Sequence, residues 1–144
     1  MTIDFVIHGE PPTTTAQQKG EVRRGGKTMH YTKAKVKRVL EMYEWEARAA
    51  LPSGWKPIQK PKGVRLYVMF CFGTTDRKKI GTWRTSRPDA DNLVKALMDG
   101  FKNAGVWEDD SQVASLQVDK TWWSRENACI RVRIEELEAN RNGN

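Results

Sequence analysis

Apolar residues recur with two different periods along this chain. Ile3, Phe5 and Ile7 alternate with Asp4, Val6 and His8, the two-residue period of a strand, and Gly9-Glu10-Pro11-Pro12 ends it. From Thr32 to about Leu51 the period lengthens. Val36, Leu40, Tyr43, Ala47 and Ala50 form one helical face, Lys37–Glu41 and Glu44–Arg48 pair along the outside, and Pro52 stops the helix. After a proline-containing connection over 53–62, Val64, Leu66, Val68, Phe70 and Phe72 alternate with Arg65, Tyr67, Met69 and Cys71. Only Arg65 in the second set is charged, which predicts a strand inside the sheet with both faces largely covered. A polar loop over 73–86 leads to a second helix from Asp89 to Ala104, with Leu93, Leu97, Phe101 and Ala104 inward and Gly105 suited to the position that ends a helix. Two strands follow, one around Ala114–Trp122 and one around Ala128–Ile134. Ser124-Arg125-Glu126-Asn127 between them reads as a hairpin connection.

The sum is an α+β fold, a single domain over 1–144 with a mixed β-sheet and two helices in the order βαβαββ. Residues 13–31, polar and interrupted by Gly20, Gly25 and Gly26, are expected to form a mobile basic loop, and 138–144 a frayed tail. No apolar run approaches the roughly 20 residues of a membrane span, and the N-terminus lacks the layout of a signal peptide, so a cytoplasmic setting is expected. Cys71 and Cys129 have no CxxC or histidine companion and read as buried packing residues. His8 and His30 are too scattered for a metal site or triad.

Charge narrows the partner. The net charge of +7 is concentrated in residues 19–38, which hold eight Lys/Arg against the single acid Glu21, and the remainder of the chain balances. Arg23, Arg24, Lys27, Lys33 and Lys37 in this block are candidate phosphate contacts. So are Arg77, Lys78, Lys79, Arg84 and Arg87, which run directly into an acidic segment. A solvated basic loop is the alternative for the first block taken alone; two basic segments flanking carboxylates favour a nucleic acid. Trp83, in the second block, could fold back onto the core or stack on bases.

The acidic segment is Arg87-Pro88-Asp89-Ala90-Asp91-Asn92-Leu93-Val94-Lys95, answered by Trp107-Glu108-Asp109-Asp110-Ser111-Gln112. Oxygen ligands of this kind suit a hard cation such as Mg²⁺, and a neighbouring lysine can stabilise charge on a reacting phosphate. Plainer readings stand beside it: Asp89 as a helix N-cap, Asp91 and Lys95 as an i,i+4 surface pair, Asp109-Asp110 as a polar turn. The site also makes a geometric demand. Between Asp91 and Ala104 a helix climbs about 20 Å, so either Gly105–Asp109 runs back along it, with Trp107 as a sensible anchor, or the helix is shorter than this.

The order of the pieces, Arg-Pro-Asp-x-Asp-Asn-Leu-x-Lys-x-x-x-Asp-Gly-Phe followed by Ala-Gly-x-Trp-x-Asp-Asp-Ser-Gln-Val, closely resembles the RusA family of Holliday-junction resolvases. The resemblance is densest over 87–113. It implies a small dimeric endonuclease, common in phages and prophages of bacterial cells, that resolves four-way DNA junctions by paired nicks with Mg²⁺ (or Mn²⁺ in its place) in recombination and repair. It carries essential roles onto Asp89, Asp91 and Asp110 as metal ligands and onto Lys95 as the catalytic lysine, with Asp109 a further candidate ligand. No small-molecule cofactor or membrane partner is implied. The rival expectations are a junction-binding module without nuclease activity and a metal-dependent flap or single-strand nuclease.

Overall fold

The computed structural model describes the backbone of residues 1–15 and 25–138, and the side chains of 1–15 and 33–138. Four strands, β1 (Thr2–His8), β2 (Gly63–Thr74), β3 (Val113–Ser124) and β4 (Cys129–Leu137), form one mixed sheet in the order β1-β4-β2-β3. Two helices, α1 (Gly25–Ala50) and α2 (Ala90–Asn103), complete the expected α+β order. β4 runs antiparallel to both β1 and β2, while β2 and β3 are parallel. Parallel neighbours cannot be joined by a tight turn, and α2 lies in the crossover between them.

One face of the sheet carries the core. Leu66, Val68, Phe70 and Phe72 of β2 are fully buried, and Ile7, Ile130, Val132 and Ile134 join them from β1 and β4. Tyr43 and Ala47 of α1 and Leu93, Val94, Leu97 and Phe101 of α2 pack into the same cluster. Burying the last four is worth about 6–12 kcal/mol before entropy is counted, against about 0.2–0.5 kcal/mol for one exposed ion pair on the other side of α2. The helix is therefore fixed by its apolar face, and its polar face need not contribute to stability.

Three sequence expectations change. α1 begins at Gly25, seven residues before the predicted start, so residues 25–31 are helical rather than loop. Gly25 and Gly26 do not break it because they sit in the first turn, whose N–H groups have no intrahelical partners in any case. The expected mobility over 16–24, and the frayed tail beyond residue 138, lie outside the described residues. Second, Ser124–Asn127 does not make a hairpin. β4 pairs with β1 and β2, so the connection passes over the end of β2. Next-nearest strands lie about 10 Å apart, within reach of four residues, so turn-like composition fits either connection. Third, β2 is interior to the sheet but covered on one face only. Arg65 is exposed and Tyr67 and Met69 are half-buried, facing a groove of about 720 Å³ shared with Asp4, Arg131 and Arg133. The core helices occupy the opposite face.

Candidate active site

The segment entering α2 is held by two cations that point inward. Lys120 of β3 donates from Nζ to the carbonyls of Ser86 and Pro88 at 2.8 and 2.7 Å. Arg84 donates from its guanidinium to the Arg87 carbonyl at 2.7 Å and to Ser86 Oγ at 3.2 Å. The same guanidinium lies 3.9 Å from the centre of the Phe72 ring, a stacking contact with a core side chain. Burial lowers the pKa of both groups; for Lys120 the nearby Arg84 lowers it further and Asp89 opposes this. Their bonds to three backbone carbonyls fix the approach to the helix.

Asp89 occupies the N-cap position of α2 with extended backbone, yet its side chain makes no capping bond. Asp91 and Lys95 are both exposed, and no ion pair among the described residues joins them. Asp89 is thus the N-cap residue without its side-chain bond, while the reading of Asp91 and Lys95 as an ion pair does not describe the molecule. The polar-turn reading holds in part. Asp109 caps the 3-10 turn Asp110–Gln112, accepting from the Ser111 N–H at 3.3 Å while Gln112 Oε1 accepts from the Asp109 N–H at 2.9 Å. Its second oxygen meets Lys60 Nζ at 3.3 Å. The Ser111 backbone bond, then Lys60, hold the Asp109 carboxyl below the usual carboxylate range. One of its oxygens thus caps the turn and the other faces Lys60.

Asp110 is different. The segment 105–109 does run back. Gly105 turns the chain at φ 82°, and Ile58 pairs with Trp107 through Ile58 N–H to Val106 O at 3.0 Å and Glu108 N–H to Ile58 O at 3.2 Å. Trp107 is 1% exposed and donates its indole N–H to Asp110 Oδ1 at 2.7 Å. A core side chain thereby aims a half-buried carboxylate into a cavity of about 540 Å³, beside Asp91, Lys95 and Asp99 of α2. Val94, Met98, Leu116 and Val118 give this cavity its apolar wall.

Asp99 is the functional-looking residue that sequence reasoning left without a role. It lies four residues beyond Lys95 and eight beyond Asp91, so helical spacing alone puts all three on one face. Burial, then the nearby Asp110 charge and a side-chain interaction with it, push its pKa up against the pull of Lys95 and Lys102. The returning chain thus meets α2 two turns past its start. Asp91 and Asp99 are separated by about 12 Å along the helix axis, and Asp110 lines the same cavity as both. Among the described residues no three metal-ligating side chains converge closely enough to hold an ion as they stand. What the cavity offers is a pair of adjoining carboxylates, Asp99 and Asp110, with Asp91 on the same wall. Oxygen donors alone, with like charges held together, fit a hard divalent cation, which uses one or two carboxylates and fills its remaining positions with water and phosphate oxygens.

The expected phosphate contacts divide. Arg77, Lys78, Lys79 and Arg87 are exposed around the loop before α2, and Lys33 and Lys37 are exposed on α1, Lys37 lying 3.9 Å from Glu41. Arg84 is turned inward as described. Arg23 and Arg24 lie outside the described residues, as does the side chain of Lys27.

Comparison with known proteins bears on this arrangement. The family model described as Endodeoxyribonuclease RusA matches residues 10–135. The chain is 30% identical over 137 residues to the crossover junction endodeoxyribonuclease rusA of Lactococcus phage r1t, covering 95% of this chain and 100% of that one. It is 28% identical over 150 residues to the uncharacterized protein YqaN of Bacillus subtilis (strain 168), covering 95% and 98%. No helix among the described residues is long and apolar enough to cross a membrane.

Proposed function

The chain belongs to the RusA family of endodeoxyribonucleases, and from that premise we propose that it resolves four-way DNA junctions by paired nicks with the help of Mg²⁺. The observation that carries this reading is the cavity in which Asp91, Lys95, Asp99 and Asp110 meet beside a loop rich in exposed cations. Asp110 and Asp91 would hold the ion, joined by Asp89 from the N-cap of α2. When bound, Mg²⁺ supplies neutralising charge at the scissile phosphate and a more acidic water. Lys95, exposed and without a salt-bridge partner among the described residues, is free to donate to a non-bridging phosphate oxygen as negative charge builds there. Trp107 keeps Asp110 aimed at the cavity. Arg77, Lys78, Lys79 and Arg87 meet the backbone of the DNA arms, reading branch shape rather than base sequence. Two symmetry-related nicks call for two sites in the same relation, which a homodimer supplies. Recombination and repair, in a bacterial cell or a phage infecting it, are where such substrates arise.

Labelled junction, flap and linear duplex, each with Mg²⁺ or with EDTA, test the reading. Paired nicks confined to the junction and requiring the ion are expected. Equal cleavage of flap or duplex would favour a broader nuclease, and junction binding without cleavage a binding module. Sedimentation of the free protein should give twice the chain mass; a monomer would remove the symmetry argument.

A further inference from the structure

Trp83 is 66% exposed although its backbone is among the better-fixed parts of the loop before α2. Residues 81–84 lie along the outer edge of β3. Gly81 N–H donates to Trp122 O at 2.8 Å, Trp122 N–H to Thr82 O at 2.9 Å, and Arg84 N–H to Lys120 O at 2.9 Å, and Trp83 stands opposite Thr121. Side chains alternate along such an edge. Arg84 turns inward over Phe72, and Trp83 is left outside with Ile80, itself 44% exposed. An indole held in water on a fixed backbone keeps an unfavourable hydration that a partner can relieve.

The charge around it says what kind of partner. Arg77, Lys78, Lys79, Arg84 and Arg87 surround Trp83 in sequence against Asp76 and Asp89, an excess of positive charge that favours a polyanion. The same segment is tied to the start of α2 by the Lys120 and Arg84 bonds, so whatever enters the cavity with Asp91 and Lys95 meets a surface rigidly linked to Trp83. A polyanion that also presents flat apolar faces is a nucleic acid with exposed bases. Within a duplex those faces are covered by stacking, but at a branch point the last pair of each arm can present one.

We propose that Trp83 stacks on a base exposed at the branch point and thereby favours branched DNA over duplex; the inference rests on the branched-DNA reading above. Trp83→Ala and Trp83→Phe are compared with the unaltered protein by fluorescence titration in EDTA. The probes are a four-way junction carrying 2-aminopurine beside the branch and a linear duplex of the same length. W83A should bind the junction about 10- to 100-fold more weakly, with duplex affinity nearly unchanged and the 2-aminopurine response lost. W83F should keep most of both. Thermal melting within a few degrees of the parent protein shows that the edge is intact. Unchanged junction affinity in W83A would overturn the inference, as would an equal fall for junction and duplex. Loss of the dimer mass would place Trp83 between subunits instead. If the unaltered protein itself binds junction no better than duplex, the branched-DNA reading fails and the inference with it.

Discussion

The indole N–H of Trp107 and Oδ1 of Asp110 are 2.7 Å apart, so a side chain sealed in the core sets the direction of a carboxylate at the cavity. Trp107→Phe keeps most of the buried ring but removes the donor. Stability should fall by about 1–3 kcal/mol, from lost volume and the lost bond together. Junction cleavage in Mg²⁺ should fall at least tenfold, because Asp110 would lose its fixed orientation. Urea denaturation and single-turnover nicking measure the two effects. Full activity in a destabilised variant would mean that the bond serves only the fold.

Asp91→Asn tests the chemistry with little disturbance of the fold. Asp91 is exposed, and its side chain forms no ion pair among the described residues. Melting temperature should hardly move. Binding to a junction in EDTA should be kept or slightly tightened, since a charge that repels phosphate is gone. Cleavage in Mg²⁺ should drop by orders of magnitude. Near-normal cleavage would remove Asp91 from the site.

Asp99 should show its strain through pH. Its folded pKa is raised above the ordinary carboxylate value, so its favourable contribution is full below about pH 4 and is lost as pH rises through the folded value. D99N cannot ionise. In EDTA it should therefore be more stable than the parent protein at neutral pH, with the advantage shrinking towards pH 4. Mg²⁺ should raise the melting temperature of D99N less than that of the parent. A variant less stable at neutral pH would show that the Asp99–Asp110 contact is net favourable as it stands.

Gly100 marks where the two helices touch. A Cβ there would lie 2.5 Å from Tyr43 Cβ and 3.0 Å from the Leu40 carbonyl. Alanine in a helix interior normally gains about 1 kcal/mol over glycine, whereas overpacking a tight contact costs about 1–3 kcal/mol and sometimes more. The clash should win, so Gly100→Ala should lower the urea midpoint. A rise would mean that α1 can slide away without loss.

The strands, the motif helix and the return of the chain after Gly105 were legible because each rests on local periodicity or on a distance that a short segment must cover. Trp107 as the anchor followed from that distance alone. The early start of α1 was not legible: paired glycines weigh as breakers in a sequence, but at a helix's first turn they interrupt nothing. The route of β4 was hidden for a related reason, since four turn-like residues can join adjacent strands or step across one. Asp99 was visible in the helical spacing from Asp91 and Lys95, but its meeting with Asp110 depends on where the returning segment lands. Lys120 left no signal. Its role is to hold two carbonyls distant in sequence, and in the pattern of β3 it is one polar position among several.

The placement of β4 has a consequence for how the protein comes into being. Among the described strands it is the last to be synthesised, yet it lies between β1 and β2 and pairs with both. Asp89, Asp91, Lys95, Asp99 and Asp110 all precede it in the chain. A nascent chain halted before residue 129 would therefore hold every candidate catalytic group but leave a gap in the sheet beneath them. Such long-range pairing must overcome the entropy of closing the whole intervening chain before it gains stability. The nuclease is thus assembled only after β4 has left the ribosome, and a growing chain presents its carboxylates to nearby DNA without the scaffold needed to cut it.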